Sequence, residues 1–144
     1  MGSCPAMEDG ITYGSLDHGG SDRFQRLRAE LGVGTFGLNL IRLAPRQRGR
    51  IHAHERQEEV YVVLSGTLTL GLADGERELG PNECVRVAPG VRRQLMNRGR
   101  DRCVLLAIGG AEPHNGRDGI AFDDWDSPEG RSPQDAPMPP DLPV

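Results

Sequence analysis

Apolar residues alternate with polar ones, or form short β-rich runs, through most of the chain between residues 34 and 108. Such segments are typical of β-strands with one buried face, and clusters of turn-forming residues separate them. The segments predicted to be strands are residues 34–43, 50–54, 59–64, 67–72, 76–79, 84–87, 93–96 and 103–108. Because no long helical pattern separates them, the sequence predicts an all-β antiparallel barrel or sandwich.

Two turns within this series predict local pairing. Ser65-Gly66 is a two-residue turn signal, which predicts a hairpin between the strands on either side of it. Ala73-Asp74-Gly75 predicts a second tight turn shortly afterwards. In the strand after residue 58, alternation sends Glu59, Tyr61 and Val63 to one face of the sheet.

The two ends of the chain are less regular. In residues 21–31, Phe24, Leu27 and Leu31 fit one helical face, but the same segment could start a strand, and we predict an added edge strand. After Phe122, acidic residues alternate with six prolines, which predicts an extended or disordered arm. Trp125, the only tryptophan, would hold this arm against the barrel or a neighbouring subunit. The predicted organisation is an N-terminal extension (1–20), a barrel (21–110) and an acidic, proline-rich C-terminal arm (111–144).

The composition excludes several functions. The chain has 144 residues, enough for one domain, and a formal charge of −4. All 17 basic residues are arginine, so neither a lysine Schiff base nor a P-loop lysine is available. The mildly acidic balance argues against a nucleic-acid partner. The four arginines at positions 42, 46, 48 and 50 are explained most simply as a solvated strand face or loop.

Cysteine usage and hydropathy predict the location of the protein. Cys4, Cys84 and Cys103 are an odd number without regular spacing, which predicts reduced thiols in a cytoplasmic protein. Cys84 and Cys103 lie in apolar runs, so we predict that both are buried. The first ten residues contain no apolar signal core, and no stretch is long enough to cross a bilayer, so we expect no membrane association.

The spacing of His52, His54 and Glu59 is the feature of the sequence that predicts a functional site. Residues two apart on a strand point to the same face, so both imidazoles are aimed at one point. Glu59 opens the next strand after a tight turn. Two imidazoles and one carboxylate suit a divalent transition metal, namely Fe, Mn, Ni, Co or Zn, and leave coordination positions open for other molecules.

These residues also match a known family. The pattern His52-x-His54-x4-Glu59-x6-Gly66, in residues 49–66, resembles the first conserved motif of the cupins. Residues 79–97, which end at Asn97, resemble the second motif. The resemblance implies a small single-domain cupin of the conserved-barrel, cupin-2-like kind. The fold would then be a double-stranded β-helix, a jelly-roll-like barrel with a metal inside its mouth. We expect Asn97 to be structural, with its side chain holding a loop.

The second motif departs from the family at Arg93, which stands where the cupins usually have a histidine ligand. A guanidinium stays protonated and offers no lone pair, so Arg93 cannot bind a metal. Two alternatives remain open. Arg93 is a cationic fork that binds a carboxylate or phosphate of a ligand, or it pairs with Glu59 and leaves the barrel without metal.

The leading hypothesis is a cupin that binds a divalent metal through His52, His54 and Glu59 and a small anionic ligand near Arg93 and Tyr61. As an enzyme it would be a dioxygenase or isomerase-like catalyst, with Tyr61 as the candidate auxiliary acid. The alternative is a non-catalytic ligand-binding or sensor cupin with a degenerate, metal-free site. An exposed edge strand and the family resemblance together predict a homodimer.

Overall fold

The regular elements of the protein are almost all β-strands. The computed structural model describes residues 7, 8, 10–110 and 118–144, and Cys4, which the sequence predicts to be a reduced thiol, lies outside them. The strands are β1 (Met7–Glu8), β2 (Ile11–Thr12), β3 (Phe24–Gln25), β4 (Gly37–Leu43), β5 (Ile51–His54), β6 (Glu58–Ser65), β7 (Leu68–Leu72), β8 (Gly75–Leu79), β9 (Cys84–Val87), β10 (Gln94–Met96), β11 (Cys103–Gly110) and β12 (Gly119–Phe122). One short helix, α1 (Leu27–Leu31), and a 3-10 turn at Pro133–Asp135 complete them.

Two antiparallel sheets face each other across the core. The first has the strand order β3-β4-β11-β6-β9. In the second, β10, β7 and β8 are joined to the β12-β5 pair because His52 and Arg93 exchange both backbone hydrogen bonds, at 3.0 and 2.9 Å. The resulting jelly-roll arrangement confirms the predicted all-β double-stranded β-helix.

The core lies between the two sheets and follows the predicted alternation. On β6, Tyr61 and Val63 are buried, whereas Val60 and Val62 on the opposite face are half-buried. Tyr61 and Val63 pack with apolar residues contributed by both sheets, among them Ile41, Leu43, Leu68, Leu70, Leu95 and Leu105. Burial of these side chains supplies the main favourable term in folding. It also fixes which face of β6 points into the barrel.

The predicted hairpin at Ser65-Gly66 is wrong. Strand β6 pairs with β9 and β11, and β7 pairs with β8 and β10, so this turn carries the chain from one sheet to the other. Gly66 has φ +75°, and a Cβ there would lie 2.9 Å from Cα of Cys103. The turn needs glycine because the backbone of the facing strand is close, a tertiary feature that the local sequence does not reveal. The second predicted turn does form a hairpin, with Leu72 opposite Gly75.

Residues 21–31 form both of the structures that the sequence allowed. Phe24 and Gln25 make the predicted edge strand, and a five-residue helix follows from Leu27. Leu27 is buried against Leu40 and Val104 on the outer face of the first sheet. The helix ends at Gly32, which has φ +74°. A helix forms here instead of a longer strand because the helix covers an apolar sheet face that would otherwise contact water.

Cys103 is buried, as predicted, but the prediction for Cys84 is wrong, because its side chain is exposed. On β9, Val87 faces the core, so alternation turns Cys84 outward. Burial raises the pKa of the Cys103 thiol to about 11. Neither described cysteine is in a disulfide.

The C-terminal arm is more ordered than the sequence predicts. Its residues Gly119–Phe122 form β12, which pairs with β5 so that Ala121 lies opposite His52. Farther along, Leu142 is buried and its backbone N–H donates to the carbonyl of Arg46. Trp125 lies over the barrel, where a Cβ at Gly71 would be 3.3 Å from its ring.

Of the four arginines at positions 42–50, Arg46 is exposed in a turn, as predicted, but the other three bind distant parts of the chain. Arg42 is buried, and its guanidinium donates to the carbonyls of Asp17, Asp22 and Phe24. Arg48 and Arg50 donate to carbonyls of the C-terminal arm. They anchor the terminal segments because a guanidinium offers five N–H donors. In the described part of the chain no helix is long and apolar enough to span a bilayer.

Candidate functional site

His52, His54 and Glu59 converge on the wall of one cavity. Both histidines lie on β5, two residues apart, and Glu59 lies on β6, in the opposite sheet. The Nε2 atoms of His52 and His54 are 3.9 and 3.6 Å from Oε1 of Glu59. Among the described residues, this trio is the group of side chains that could hold a metal ion.

Each imidazole is held at its Nδ1 atom. Nδ1 of His52 is 3.2 Å from the carbonyl oxygen of Arg50, and Nδ1 of His54 is 2.8 Å from Oδ1 of Asp118. Since both partners are acceptors, each Nδ1 carries the hydrogen in the neutral ring. The Nε2 lone pair of each ring is therefore free to point toward Glu59. Partners of this kind are typical of histidines that bind metals.

Asp118 is a residue of the site that the sequence reading missed. It accepts hydrogen bonds from His54, from the side chain of Gln57, and from the backbone N–H groups of Arg56 and Gln57. Burial alone would raise the pKa of Asp118, but the Arg56 N–H, His54 and the Gln57 N–H outweigh it and lower the pKa. Asp118 lies 64 residues after His54 in an acidic arm, so no local spacing marks it.

The Arg93 side chain is buried inside the barrel, where it makes hydrogen bonds to neighbouring residues. Its guanidinium is 0% exposed and does not line the cavity. Nη2 donates to Oε1 of Glu59 at 2.7 Å, Nε to the hydroxyl of Tyr61 at 3.0 Å, and Nη1 to the carbonyl of Val91 at 3.0 Å. Of the two alternatives left open by the sequence, the contacts show the pairing with Glu59.

Tyr61 completes a buried polar cluster with Glu59 and Arg93. Its hydroxyl donates a short hydrogen bond to Oε1 of Glu59, and the ring lines the cavity. Burial and the neighbouring Glu59 carboxylate raise the pKa of Tyr61 well above its usual value, so the phenol stays protonated. For Glu59, burial raises the pKa, but His52, His54 and Arg93 together hold it well below the ordinary value.

His54 balances opposing effects on its charge. Burial lowers its pKa, while the nearby Glu59 and Asp118 carboxylates raise it more. The net direction is upward, so without a bound cation His54 takes up a proton more readily than a free imidazole does. Arg93 opposes this increase.

The residues present fit a divalent ion in donor type and spacing. Two donor atoms that are each about 2.1 Å from one ion are at most about 4.2 Å apart, and the two histidine–Glu59 separations lie below that limit. The separations also exceed hydrogen-bond length, so the three donor atoms do not satisfy one another directly. Oε1 of Glu59 also accepts hydrogen bonds from Arg93 and Tyr61, and these bonds compete with a metal ion for that oxygen.

The cavity above this cluster has a volume of about 640 Å³, within the usual range for small-molecule sites. Glu59 is the one carboxylate among the described residues that line it, whereas four arginines, Arg23, Arg26, Arg28 and Arg50, do so. Pro133, Gln134 and Met138 of the C-terminal arm form part of its wall. The lining is therefore strongly cationic away from Glu59.

Fold and site together define a cupin-type double-stranded β-helix with a His-x-His…Glu cluster at its mouth. Residues 39–109 match the family described as Cupin domain. The chain contains a small cupin-2-like domain. No protein with a curated description matches the chain.

Several solved structures resemble the protein. A cupin-superfamily sugar phosphate isomerase from Silicibacter pomeroyi is 28% identical, over 70% of this chain and 65% of its own, with a TM-score of 0.62. The chain thus spans slightly less than two thirds of that protein. A cupin protein from Bacteroides fragilis is 19% identical, over 84% of this chain and 97% of its own, with a TM-score of 0.63. A cupin 2 conserved barrel domain protein from Salinispora arenicola is 23% identical, over 73% and 89%, with a TM-score of 0.60. The last two similarities concern the fold alone.

Proposed function

We propose that the protein is a metal-dependent cupin that binds a small anionic ligand of the sugar phosphate class and isomerises it. One observation carries the proposal. Two imidazole Nε2 atoms and the Glu59 carboxylate converge in a cavity whose other charged lining residues are all arginines. The name of the Silicibacter pomeroyi protein, a sugar phosphate isomerase, supports this ligand class.

His52, His54 and Glu59 would hold the metal, and Asp118 would position His54. A divalent ion there would polarise an oxygen atom of the ligand. Arg93 adds positive charge where the cupins usually have a neutral ligand, and it forms an ion pair with Glu59. The added positive charge near the metal favours an anionic ligand over a neutral one.

An isomerase activity is consistent with the protonation of the site. Conversion of an aldose phosphate into a ketose phosphate moves one hydrogen from C2 to C1 and one from the C2 hydroxyl to the C1 oxygen, without net oxidation or reduction. Tyr61 stays protonated, so its hydroxyl would serve the proposed auxiliary role as a hydrogen-bond donor, because its raised pKa makes it a weak acid. Glu59 is the one carboxylate available among the described lining residues, so a Glu59→Gln variant tests proton transfer and metal binding together.

A second candidate function is a metal-free binding cupin, such as a sensor. The ion pair between Arg93 and Glu59, at 2.7 Å, favours it, because the pair neutralises the carboxylate that a metal needs. The arginine-lined cavity would bind the same class of anion without catalysing a reaction. The two functions therefore differ in metal content and turnover, not in ligand charge.

Metal content separates them. The protein, purified without a metal-affinity tag and treated with chelator, is titrated with Fe(II) under anaerobic conditions and with Mn(II), Co(II), Ni(II) and Zn(II). We expect about one equivalent to bind, His52→Ala and His54→Ala to abolish binding, and His18→Ala, on an exposed loop, to leave it unchanged. Binding below about a tenth of an equivalent for every ion would exclude the metal-dependent function and leave the sensor.

Turnover is measured on the metal-loaded protein with aldose phosphates in D₂O. Proton NMR detects the ketose product and any deuterium incorporated at its C1. No conversion and no exchange with any aldose phosphate, at full metal occupancy, would refute the isomerase activity.

The assembly and location of the protein also remain proposals. We propose a homodimer, supported by the exposed apolar side chains of Ile11, Tyr13, Leu16, Phe24 and Phe36, of which Phe24 lies on the edge strand β3. Light scattering coupled to size exclusion measures the mass directly, and a monomer at every concentration would contradict it. The cytoplasmic location rests on the cysteine usage alone, and localising the tagged full-length chain tests it.

A further inference from the structure

Two arginines of the cavity, Arg23 and Arg50, are held by backbone and sulfur acceptors instead of carboxylates. Nη1 of Arg23 donates to the carbonyl of Arg48 at 2.9 Å and contacts the sulfur of Met138 at 3.3 Å. Nε of Arg50 donates to the carbonyl of Ala136 at 2.9 Å. These contacts fix the guanidinium groups without neutralising their charge.

The charge of both groups is left without a salt bridge. Within the described ranges, five arginines form ion pairs with a carboxylate, and neither Arg23 nor Arg50 is one of them. Burial lowers the pKa of Arg23, Asp141 raises it, and Arg50 lowers it again, so the two cations lie close enough to repel each other. Asp141 counters this repulsion at Arg23 without forming an ion pair with it in the described structure, and a bound anion would add a direct contact to both guanidinium groups.

Unused hydrogen-bond donors point to the same conclusion. Both terminal amino groups of Arg50 have no hydrogen-bond partner among the described residues, and neither do Nε and Nη2 of Arg23. A phosphate accepts paired N–H groups from arginine in a planar, bidentate arrangement. Arg26 and Arg28 line the same cavity but are exposed and unpaired in the described structure, so they suit attraction of an anion more than fixed contact.

We infer that Arg23 and Arg50 form a phosphate-binding subsite under the C-terminal arm, separate from the His52, His54 and Glu59 cluster. The inference deepens the proposed function and rests on it for the ligand class. The arm takes part because Ala136 and Met138 hold the two guanidinium groups in place. Arg50 also joins the two sites, since its backbone carbonyl holds Nδ1 of His52. A sugar phosphate would then place its phosphate on the arginines and its sugar toward the histidines.

The test measures binding of glucose 6-phosphate, glucose and inorganic phosphate to the full chain by isothermal titration calorimetry. We expect glucose 6-phosphate and phosphate to bind and glucose to bind far more weakly. Arg23→Gln and Arg50→Gln should each raise the Kd for inorganic phosphate roughly 10-fold or more. Arg77→Gln removes an exposed, unpaired charge on β8, outside the cavity, and should leave the Kd unchanged.

A labelling experiment on the wild-type chain avoids any loss of folding in the variants. Phenylglyoxal modifies accessible arginines, and mass spectrometry of the peptides reports the rate at each position. We expect inorganic phosphate to slow the modification of Arg23 and Arg50 and to leave Arg77 unaffected. Equal rates with and without phosphate at Arg23 and Arg50, or an unchanged Kd in folded Arg23→Gln and Arg50→Gln, would overturn the subsite.

The phosphate measurements are repeated on chelator-treated protein, so the two proposals can fail separately. Phosphate binding at these arginines without metal binding refutes the metal-dependent function alone. Metal binding without phosphate protection at Arg23 and Arg50 refutes the subsite alone.

Discussion

Replacement of Arg93 tests the centre of the site most directly. Arg93→Met removes the charge and keeps much of the side-chain volume, whereas Arg93→His also supplies an imidazole at the position where the cupins usually have one. Comparison of wild type with Arg93→Met isolates the effect of the charge. Comparison of the two variants isolates the added ligand.

The expected loss of stability follows from the contacts of Arg93. Removing one partner of a buried ion pair costs about 3–5 kcal/mol. We expect about 3 kcal/mol, the lower end of that range, because Glu59 keeps the Tyr61 hydrogen bond and its side chain is 14% exposed. For a chain of this size, that corresponds to a fall in Tm of roughly 6–12 °C for the metal-free protein.

The expected gain in metal affinity follows from charge repulsion. An ion about 2.1 Å from Oε1 of Glu59 is at most about 4.8 Å from Nη2 of Arg93. With an effective dielectric constant of about 20, the repulsion is about 7 kcal/mol. Because Glu59 and water screen most of it, we expect Arg93→Met to tighten binding by about 1.4 kcal/mol, or tenfold in Kd. Arg93→His should bind at least tenfold more tightly than Arg93→Met.

Differential scanning calorimetry of the metal-free proteins and titrations with Co(II) and Zn(II) measure both quantities. The Co(II) absorption spectrum also reports whether a ligand has been added in Arg93→His. A metal-free Arg93→Met protein as stable as wild type would refute the assigned strength of the ion pair. Equal metal affinity in the two variants would refute a metal position within reach of residue 93.

Three further outcomes follow from the structure. Asp118→Asn should weaken metal binding roughly 10–100-fold by releasing His54. Because the pKa of Asp118 is lowered on folding, its carboxylate stabilises the protein above the unfolded pKa, and this stability is lost as pH falls through the folded pKa. The variant should therefore show a flatter loss of Tm in acid. Gly66→Ala should lower stability by more than about 2 kcal/mol, since it combines positive φ with a backbone collision. In a Cys4→Ser background, a disulfide reagent should modify Cys84 rapidly and Cys103 only after unfolding.

Matched controls accompany these measurements. Asp74→Asn lies in an exposed turn and should change neither the metal affinity nor the loss of Tm at acidic pH. Gly34→Ala has no atom within 4 Å of the added Cβ and should leave Tm nearly unchanged. Metal affinity within twofold of wild type in Asp118→Asn, full stability in Gly66→Ala, or rapid reaction of Cys103 in the native protein would each contradict the structure.

Much of the strand framework follows from local sequence, because side chains on a strand repeat every two residues. Tyr61 and Val63 could be placed on the core face of β6 from alternation alone. The role of Asn97 was also predictable from the motif, and its side chain does hold a loop, by bonding the carbonyls of Leu43 and Asp101 and the N–H of Gly99. The apolar run around Cys84, by contrast, gave a wrong prediction, since a short apolar run does not say which face is buried.

Contacts between distant segments could not be predicted. Ser65-Gly66 has the sequence of a hairpin turn, yet it joins two sheets because β9 and β11 take the edges of β6. The arginines near residue 48 looked solvent-exposed, but they bind carbonyls of chain segments that lie far away in sequence. Neither result is encoded within a window of ten residues.

The sequence by itself determined the β-barrel and the convergence of His52, His54 and Glu59, because strand periodicity and a short turn bring these three side chains to one point. Only the tertiary structure decided that Arg93 is buried against Glu59 and Tyr61. The same holds for Asp118, which supports His54, and for Arg50, which lies under the C-terminal arm. The physical reason is that pairing between distant groups depends on the packing of whole sheets and arms, whereas strand alternation depends on neighbouring residues alone.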